Sequence, residues 1–472
     1  MRINADEIRS TVEQVRRLLH EETTISPTLR AALEMLLLVV TILLNRIGVN
    51  SRNSSKPPSD DPNRLKPPHN STGNKPGGQK GHRGSNLEPV ANPDEVVILK
   101  VDPATLPEGR YREDGFESRQ VFDVEIKLLV TEYRAQVLVD QRGKRWVAPF
   151  PQDVTAPVQY GSSIKAGAVY MSQYQLLPYN RVEEQFGDLF QIPLSAASVF
   201  NFNQDAFNRL ELFEQWLKEQ LLASPLLHSD ETGINIAGKG HWLHCLSNEQ
   251  LTLFHAHAKR GGEAMDDLGV LPSFQGILCH DHWLPYFKYG TAHALCNAHH
   301  LRELEWAAEQ EKQSWAKELQ ALLKEASHEK NLSTGCPDPQ TSLLFRERYR
   351  KILTDAEAEC PPPNEADRTG KRGRLKRTKS RNLLERLREH EHNTLRFLEN
   401  PLVPFSNNQA ENDIRMTKVH QKISGCFRSP EGAAIFCRVR SFLSTCRKNG
   451  ISATQALKNL FEGKWPDFMG AL

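Results

Sequence analysis

Residues 225–237 read PLLHSDETGINIA, and the segments HWLHCLS (241–247), LTLFHAHA (251–258), GGEAMDDLGVL (261–271) and GILCHDHW (276–283) follow in order. The first three segments and the last one are short apolar runs typical of β-strands, whereas GGEAMDDLGVL has the spacing of a helix. The stretch therefore predicts an α/β unit with three strands, a helix and a further strand.

Two acidic residues lie where strands of this unit are predicted to end. The element order is that with which a ribonuclease H-like α/β fold begins, and there the first and fourth strands are neighbours. Asp230 follows LLHS and Asp281 follows GILCH, so we expect the two carboxylates to meet. Two-metal phosphoryl-transfer enzymes need carboxylates from separate segments around ions ~4 Å apart. The alternative is that Asp230 and its neighbour Glu231 are only turn residues.

A third carboxylate is predicted on a later helix, in NNQAENDIRMTKVHQKISGCF (407–427). Asn407 or Asn408 can cap this helix, and Glu411 falls in its first turn, where an acid suits the helix dipole. Three cations follow on the same helical face, at i+4, i+7 and i+11: Arg415, Lys418 and Lys422. This face would hold a metal at one end and DNA phosphates along the rest. A solvated face with ordinary ion pairs is the alternative.

Length and composition limit the class of protein. At 472 residues several domains are expected, and a net charge of +2 means that any nucleic-acid surface must be local. Eight cysteines without a C-x-x-C pair, and no secretory leader, indicate a reducing compartment. The longest apolar run, MLLLVVTILL, is about half of the ~20 residues that cross a bilayer. We expect a cytoplasmic, nucleoid-associated protein without a membrane partner.

The first half of the chain divides into regions of different pattern. The segment NRVEEQFGDLFQIPLSAASVFNFNQDAF (180–207) has the layout of a helix, a Gly- and Pro-containing turn and a Ser-capped second helix, although two ordinary packing helices explain it equally well. The predicted regions are a helical hairpin or oligomerising helix (1–48), a Pro/Gly/Ser-rich basic linker (49–95), a small β-rich module built on EVVILKV, RQVFDVEIKLLV and YRAQVLVD (96–160), and a helical, helix-turn-helix-like DNA-binding candidate (161–224).

Six segments together resemble the successive signatures of the insertion-sequence-66 family of transposases. They are NSSKPPSDD, KPGGQKGHRG, LLHSDETG, ILCHDHW, HALCNAHHLREL and NNQAENDIRMTKVHQKISGCF, in the same order and across nearly the whole chain. The resemblance implies a DDE-type transposase, a two-metal polynucleotidyl transferase or nuclease. Its catalytic, metal-binding triad would be Asp230, Asp281 and Glu411, and its cofactor Mg²⁺ or Mn²⁺.

The resemblance also implies an arrangement of the second half of the chain. A ribonuclease H-like core would comprise 225–304 and 401–450, a helical insertion with a basic loop would comprise 305–400, and a C-terminal tail would comprise 451–472. The implied partners are the element's terminal repeats, target DNA, a second copy of the chain and small accessory proteins encoded by the same element. A cleavage-inactive, transposase-derived DNA-binding protein and a stand-alone ribonuclease H-like nuclease are the alternatives.

The roles of three further features stay open. Relatives commonly carry paired cysteines in the β-rich module, whereas this chain has none there, so no zinc is expected in 96–160. Cys296 and His299 have a C-x-x-H spacing, for which support of the core is favoured over zinc binding. The basic loop is either solvated or bound to phosphates; its candidate DNA-binding residues are Lys371, Arg372, Arg374, Lys376 and Arg377.

Overall fold

The computed structural model describes residues 5–22, 24–47, 49–50, 53–54, 87–124, 127–333, 335–364, 375 and 377–470. Residues 51–52 and 55–86 of the predicted linker lie outside this part. The chain forms two compact units, Met1–Arg64 with Gln152–Leu472 and Leu65–Pro151. Among the described residues, no helix has both the length and the apolar character needed to span a membrane.

The α-helices of the described residues all belong to the first unit. They are α1 (Ala5–Glu21), α2 (Pro27–Ile47), α3 (Ser162–Val169), α4 (Tyr179–Phe190), α5 (Ala196–Arg209), α6 (Glu211–Leu222), α7 (Gly262–Leu268), α8 (Asn297–Gln310), α9 (Ser314–Leu332), α10 (Pro339–Glu359), α11 (Lys379–Glu389), α12 (Glu391–Leu395), α13 (Asn408–Ser424), α14 (Pro430–Lys448) and α15 (Ala453–Phe461).

The strands form two sheets within the described residues. They are β1 (Val137–Val139), β2 (Arg145–Val147), β3 (Leu226–Ile236), β4 (Lys239–Ser247), β5 (Thr252–His257), β6 (Ile277–His280) and β7 (Ala292–Leu295). The larger sheet has the order β5-β4-β3-β6-β7, in which β3, β4 and β5 are antiparallel neighbours and β6 and β7 run parallel to β3. The four predicted strands and the helix α7 between the third and the fourth are thus confirmed.

Local backbone chemistry explains the hairpin at the start of this sheet. Ala237 and Gly238 have φ angles of 50° and 81° and join β3 to β4. Two consecutive residues with positive φ make the kind of two-residue turn whose twist matches that of the flanking strands, and glycine adopts this conformation without strain. The strand β7 was missed by the sequence analysis because a four-residue apolar run carries little periodicity.

Helix α14 covers the outer strand of the sheet and satisfies its free edge. The backbone N–H of Phe254 donates to Ser441 Oγ at 2.8 Å, and that of Thr252 donates to Thr445 Oγ1 at 3.1 Å. Unpaired edge groups otherwise invite pairing with other chains. The buried side chains of Phe442 and Leu443 continue from α14 into the main hydrophobic core. This packing attaches the outer strand of the sheet to α14 and to the main hydrophobic core.

The predicted helical hairpin at the amino terminus is confirmed. Helices α1 and α2 pack through a small core of Val12, Leu19 and Leu37. Two helices joined by a turn, α4 and α5, are also present, which fits both a helix-turn-helix unit and two ordinary packing helices. The Ser195 hydroxyl caps α5 by accepting from the Ser198 N–H. Gly187, however, lies inside α4 and not in the turn.

The β-rich module differs from the prediction. Of its three expected strand segments, only YRAQVLVD contains a strand, β1, which pairs with β2. EVVILKV and the described residues of RQVFDVEIKLLV form no strand, and apolar side chains such as Val97, Leu99 and Leu129 are exposed. Strand propensity reflects packing on a half-buried surface, and these segments have no such surface in the described part of their unit.

Two further segments, the C-terminal one and the basic stretch, differ from what the sequence pattern indicates. The segment assigned as a C-terminal tail contains α15, which packs on α3 and buries Ala456, Leu457 and Leu460. In α11, at the end of the basic stretch, Arg381 is buried and donates to Glu357 and Glu385, so this cation stabilises the helical insertion. The helices α9 to α12 of that insertion share a second hydrophobic core with α8 and with Cys279 and Ala294 of the sheet.

Candidate active site

The register of the sheet brings two of the predicted acids to the same level. His228 of β3 is the partner of Cys279 of the parallel strand β6. Continuing this register by two residues aligns Asp230 with Asp281, which directly follows the last residue of β6. Asp281 lies at a strand end as expected, but the expectation for Asp230 is wrong, because β3 continues to Ile236 and Asp230 lies inside it. The Asp281 carboxylate also accepts from the Trp283 N–H at 3.0 Å, which fixes its orientation.

The third predicted acid joins them from α13, which packs on β3 and β4. Glu411 lies in the first turn of this helix. The pKa of Asp230 is raised to about 8, chiefly by burial and further by the negative charges of Glu231, Asp281 and Glu411. The structure therefore brings Asp230, Asp281 and Glu411 into one electrostatic environment. A dication at this position would relieve the mutual repulsion.

The Glu231 side chain lies close to this group but is engaged by partners of its own. Its side chain is 2% exposed and accepts from Arg260 Nε at 2.9 Å and Nη2 at 2.6 Å. The Tyr286 hydroxyl donates to the other carboxylate oxygen. The guanidinium of Arg260 stacks on Trp283 and Trp242, with 4.1 and 4.8 Å to the ring centroids. Glu231 is thus engaged in a structural ion pair.

Replacing Arg260 by Ala is expected to lower the free energy of unfolding by about 1–3 kcal/mol, because it leaves the buried Glu231 carboxylate without its cation. Chemical denaturation measures the change. The double variant Arg260→Ala/Glu231→Gln is the matched control, since it removes the unpaired charge as well. We expect the double variant to regain part of the loss. Equal loss in both variants would contradict the ion-pair account.

Asn407 connects the start of α13 to β3 and to Cys296, the residue before α8. Its side-chain Nδ2 donates to the Ser229 carbonyl at 2.8 Å, and its Oδ1 lies 2.8 Å from His228 Nδ1. Its backbone N–H donates to Cys296 Sγ at 3.1 Å. Asn407 stands at the start of α13, but its side chain makes no cap hydrogen bond. The expected capping role is therefore wrong for this residue, whose amide instead fastens α13 to β3.

The predicted DNA-contacting residues fall into three groups. Arg415, Lys418 and Lys422 are exposed on α13, and Lys418 Nζ also donates to the Gly233 carbonyl at 2.8 Å. Arg377 is ion-paired with Glu385 inside the chain. The remaining four lie outside the described residues: Lys371, Arg372, Arg374 and Lys376.

The sequence analysis did not identify Arg260, Tyr286 or the role of Asn407. Their partners lie 29 to 179 positions away along the chain, so no local sequence pattern predicts these contacts. The C-x-x-H spacing did mark Cys296, whose Sγ lies 3.7 Å from Glu411 Oε1. His228 is buried and hydrogen-bonded to Asn407.

Comparisons with known proteins bear on the family of the chain. The family model described as Transposase IS66 family matches residues 157–435, more than half of the chain and including Asp230, Asp281 and Glu411. A family of unknown function, DUF6444, matches residues 1–88. An uncharacterized protein of Sinorhizobium fredii, y4jO, is 30% identical over 116 residues, which cover 25% of this chain and 30% of that protein. Since a single family accounts for the sheet, the helical insertion and the start of α14, the chain belongs to the IS66 family of transposases.

Proposed function

We propose that this protein is a DDE-type transposase that cleaves DNA at the ends of an insertion element and joins the resulting 3′-hydroxyl to target DNA. One observation carries the proposal: burial and the negative charges of Glu231, Asp281 and Glu411, which belong to three separate segments, raise the pKa of Asp230 to about 8. A strongly perturbed carboxylate among other carboxylates is typical of a functional site.

The sheet supports a ribonuclease H-like core as part of the proposal. Its first three strands form an antiparallel meander, the fourth returns parallel beside the first, and the fifth lies outside the fourth. This order places Asp230, which lies inside β3, beside the carboxyl end of β6. Residues on paired strands have fixed directions, which suits a site that must position metal ligands accurately.

The three carboxylates suit Mg²⁺ or Mn²⁺ because hard cations of this class prefer oxygen ligands. When bound, such ions activate the attacking oxygen and stabilise the leaving oxygen of an in-line displacement. Asp230, Asp281 and Glu411 would supply the ligands. Arg260 and Tyr286 keep Glu231 out of the ligand set, and Asn407 fixes the helix that carries Glu411.

DNA would run along the exposed face of α13. Arg415, Lys418 and Lys422 extend this face beyond Glu411, so phosphates next to the cleaved bond would meet successive cations. The basic loop is a further candidate for sequence-independent contacts, whose contribution would fall as the salt concentration rises. The helix pair α4 and α5 is the candidate for binding of the terminal repeats.

Two element ends must be processed together, so we propose that α2 pairs two copies of the chain. Beyond the contacts with α1, this helix exposes a run of large apolar side chains: Met35, Leu36, Leu38, Val39, Ile42 and Leu43. Replacing Leu36 and Leu43 by Glu is expected to convert a dimer to a monomer, measured by light scattering. Leu402→Glu, at an equally exposed residue outside the hairpin, is the control. An unchanged mass in the double variant would contradict pairing through α2.

Assays with purified protein, Mg²⁺ and DNA carrying the element's own ends test the proposed function. Joining of these ends to target DNA is the expected result. Cleavage without joining would indicate a stand-alone nuclease, and binding without cleavage would indicate a DNA-binding protein derived from a transposase. Either of these outcomes would overturn the proposal.

A further inference from the structure

A second set of metal-binding side chains lies beside the acids. Cys296 immediately precedes α8, His299 lies in the first turn of α8, and Glu411 lies in the first turn of α13. One ligand atom from each residue lies within 4.8 Å of the other two. Glu411 Oε1 is 3.7 Å from both Cys296 Sγ and His299 Nδ1. Sulfur, nitrogen and oxygen donors thus face a common point.

These separations are close to those of a tetrahedral metal centre. With Zn–S near 2.3 Å and Zn–N or Zn–O near 2.0 Å, the ligand atoms of a tetrahedral site lie about 3.3–3.6 Å apart. The observed 3.7 Å contacts therefore need to shorten by only a few tenths of an ångström. Rotation of the Glu411 and His299 side chains is sufficient for such a change.

The hydrogen bonding around the group leaves room for a cation. His299 Nδ1 is buried and makes no hydrogen bond with any residue of the described part of the chain. A buried ring nitrogen without a hydrogen bond is uncommon in folded proteins, so this atom is available as a ligand for a cation. Cys296 Sγ accepts the Asn407 N–H, an outer contact that orients the sulfur toward Glu411.

The chemical class of the donors separates this group from the carboxylates of Asp230 and Asp281. Thiolate and imidazole ligands select Zn²⁺-like ions over Mg²⁺. Three protein ligands leave the fourth tetrahedral position open, as in zinc sites that also bind water or substrate. The first turns of α8 and α13 lie close together, so two helices hold the three side chains in position.

We propose that Cys296, His299 and Glu411 form a binding site for a thiophilic divalent cation of the Zn²⁺ class. The site shares Glu411 with the proposed catalytic group but requires only the position of that side chain, not the cleavage chemistry. Its presence and the proposed function can therefore be tested separately.

The test uses the full-length protein, stripped of metal with a chelator and titrated with Co²⁺ as a spectroscopic substitute for Zn²⁺. We expect a sulfur-to-cobalt charge-transfer band and ligand-field bands of tetrahedral intensity, both removed by stoichiometric Zn²⁺. Cys296→Ser should abolish the charge-transfer band, and His299→Ala should weaken Co²⁺ binding by at least about tenfold.

Two controls separate the outcomes. Cys426→Ser alters an exposed cysteine beyond the C-terminal end of α13, whereas Glu411 lies in the first turn, about 20 Å from that end, so the band should stay unchanged. Asp230→Asn should also leave it unchanged, although it removes a proposed catalytic ligand. No charge-transfer band in the wild-type protein, or a band that survives Cys296→Ser, would overturn the site without affecting the proposed function. A charge-transfer band in a protein that fails to cleave DNA would support the cation site and contradict the proposed function.

Discussion

Replacing Asp230 by Asn is expected to reduce DNA cleavage and joining by at least about 10³-fold, a loss of about 4 kcal/mol of transition-state stabilisation. The amide has the size of the carboxylate but carries no charge, so it is a poor ligand for a hard cation. Cleavage of labelled element ends and electrophoretic binding assays measure the two effects. DNA affinity should stay within about twofold, because phosphate contacts supply most of it.

The same substitution is expected to stabilise the metal-free protein, and more so at higher pH. Burial and neighbouring acids raise the pKa of Asp230 to about 8 in the folded chain, from an ordinary value of 3.8. The folded state therefore binds a proton that the unfolded state releases, so the stability contributed by this group falls as pH rises between these values. Asn does not titrate.

Thermal unfolding in the presence of a chelator, at about pH 5 and about pH 8, checks this expectation. Asp230→Asn should raise the melting temperature by about 2 °C or more at the higher pH, and by less at the lower one. Asp267→Asn, at an acid outside the predicted triad, is the control for a general charge effect. Retained cleavage by Asp230→Asn would mean that another acid holds the metal.

Replacing Asn407 by Ala is expected to lower cleavage by about 10²-fold, because α13 and Glu411 lose their attachment to β3. The change leaves the Ser229 carbonyl and His228 Nδ1 without their partner, which costs about 1–3 kcal/mol of folding free energy for each buried group. Cleavage rate and chemical denaturation measure the two losses. Asn408→Ala is the matched control, since its side chain is exposed at the next position.

A positioning role for Asn407 can be separated from a purely structural one. If the residue positions Glu411, the Mg²⁺ concentration needed for half-maximal cleavage should rise in Asn407→Ala. Asn407→Asp keeps an oxygen toward His228 but loses the donor to Ser229, so it should fall between the wild-type protein and the alanine variant. An unchanged Mg²⁺ requirement with a lower stability alone would contradict the positioning role.

The sequence predicted the central sheet well because its strands are long or strongly apolar and each ends at a recognisable residue. β3, β4 and β5 follow one another with short turns, so the pattern of each strand is sufficient to place its neighbour. The meeting of Asp230 with Asp281 required only the added assumption that β3 and β6 are adjacent. Glu411 required recognition of a helix start far along the chain.

Other parts of the fold cannot be predicted from local sequence patterns. EVVILKV has the composition of a strand, but composition does not reveal whether a partner surface exists, and the structure contains no strand there. The buried ion pair of Arg381 was hidden in a run of cations that usually indicates a solvated loop. The Asn407 contacts join positions 178 and 179 residues apart, a relation that only the folded chain defines.

Anomalous diffraction from crystals soaked in Mn²⁺ tests the central proposal most directly. The account predicts two manganese peaks about 4 Å apart, bounded by the carboxylates of Asp230, Asp281 and Glu411. Manganese bound elsewhere in the well-ordered core, with none at Asp230 and Asp281, would contradict the assignment of these residues as the metal-binding triad.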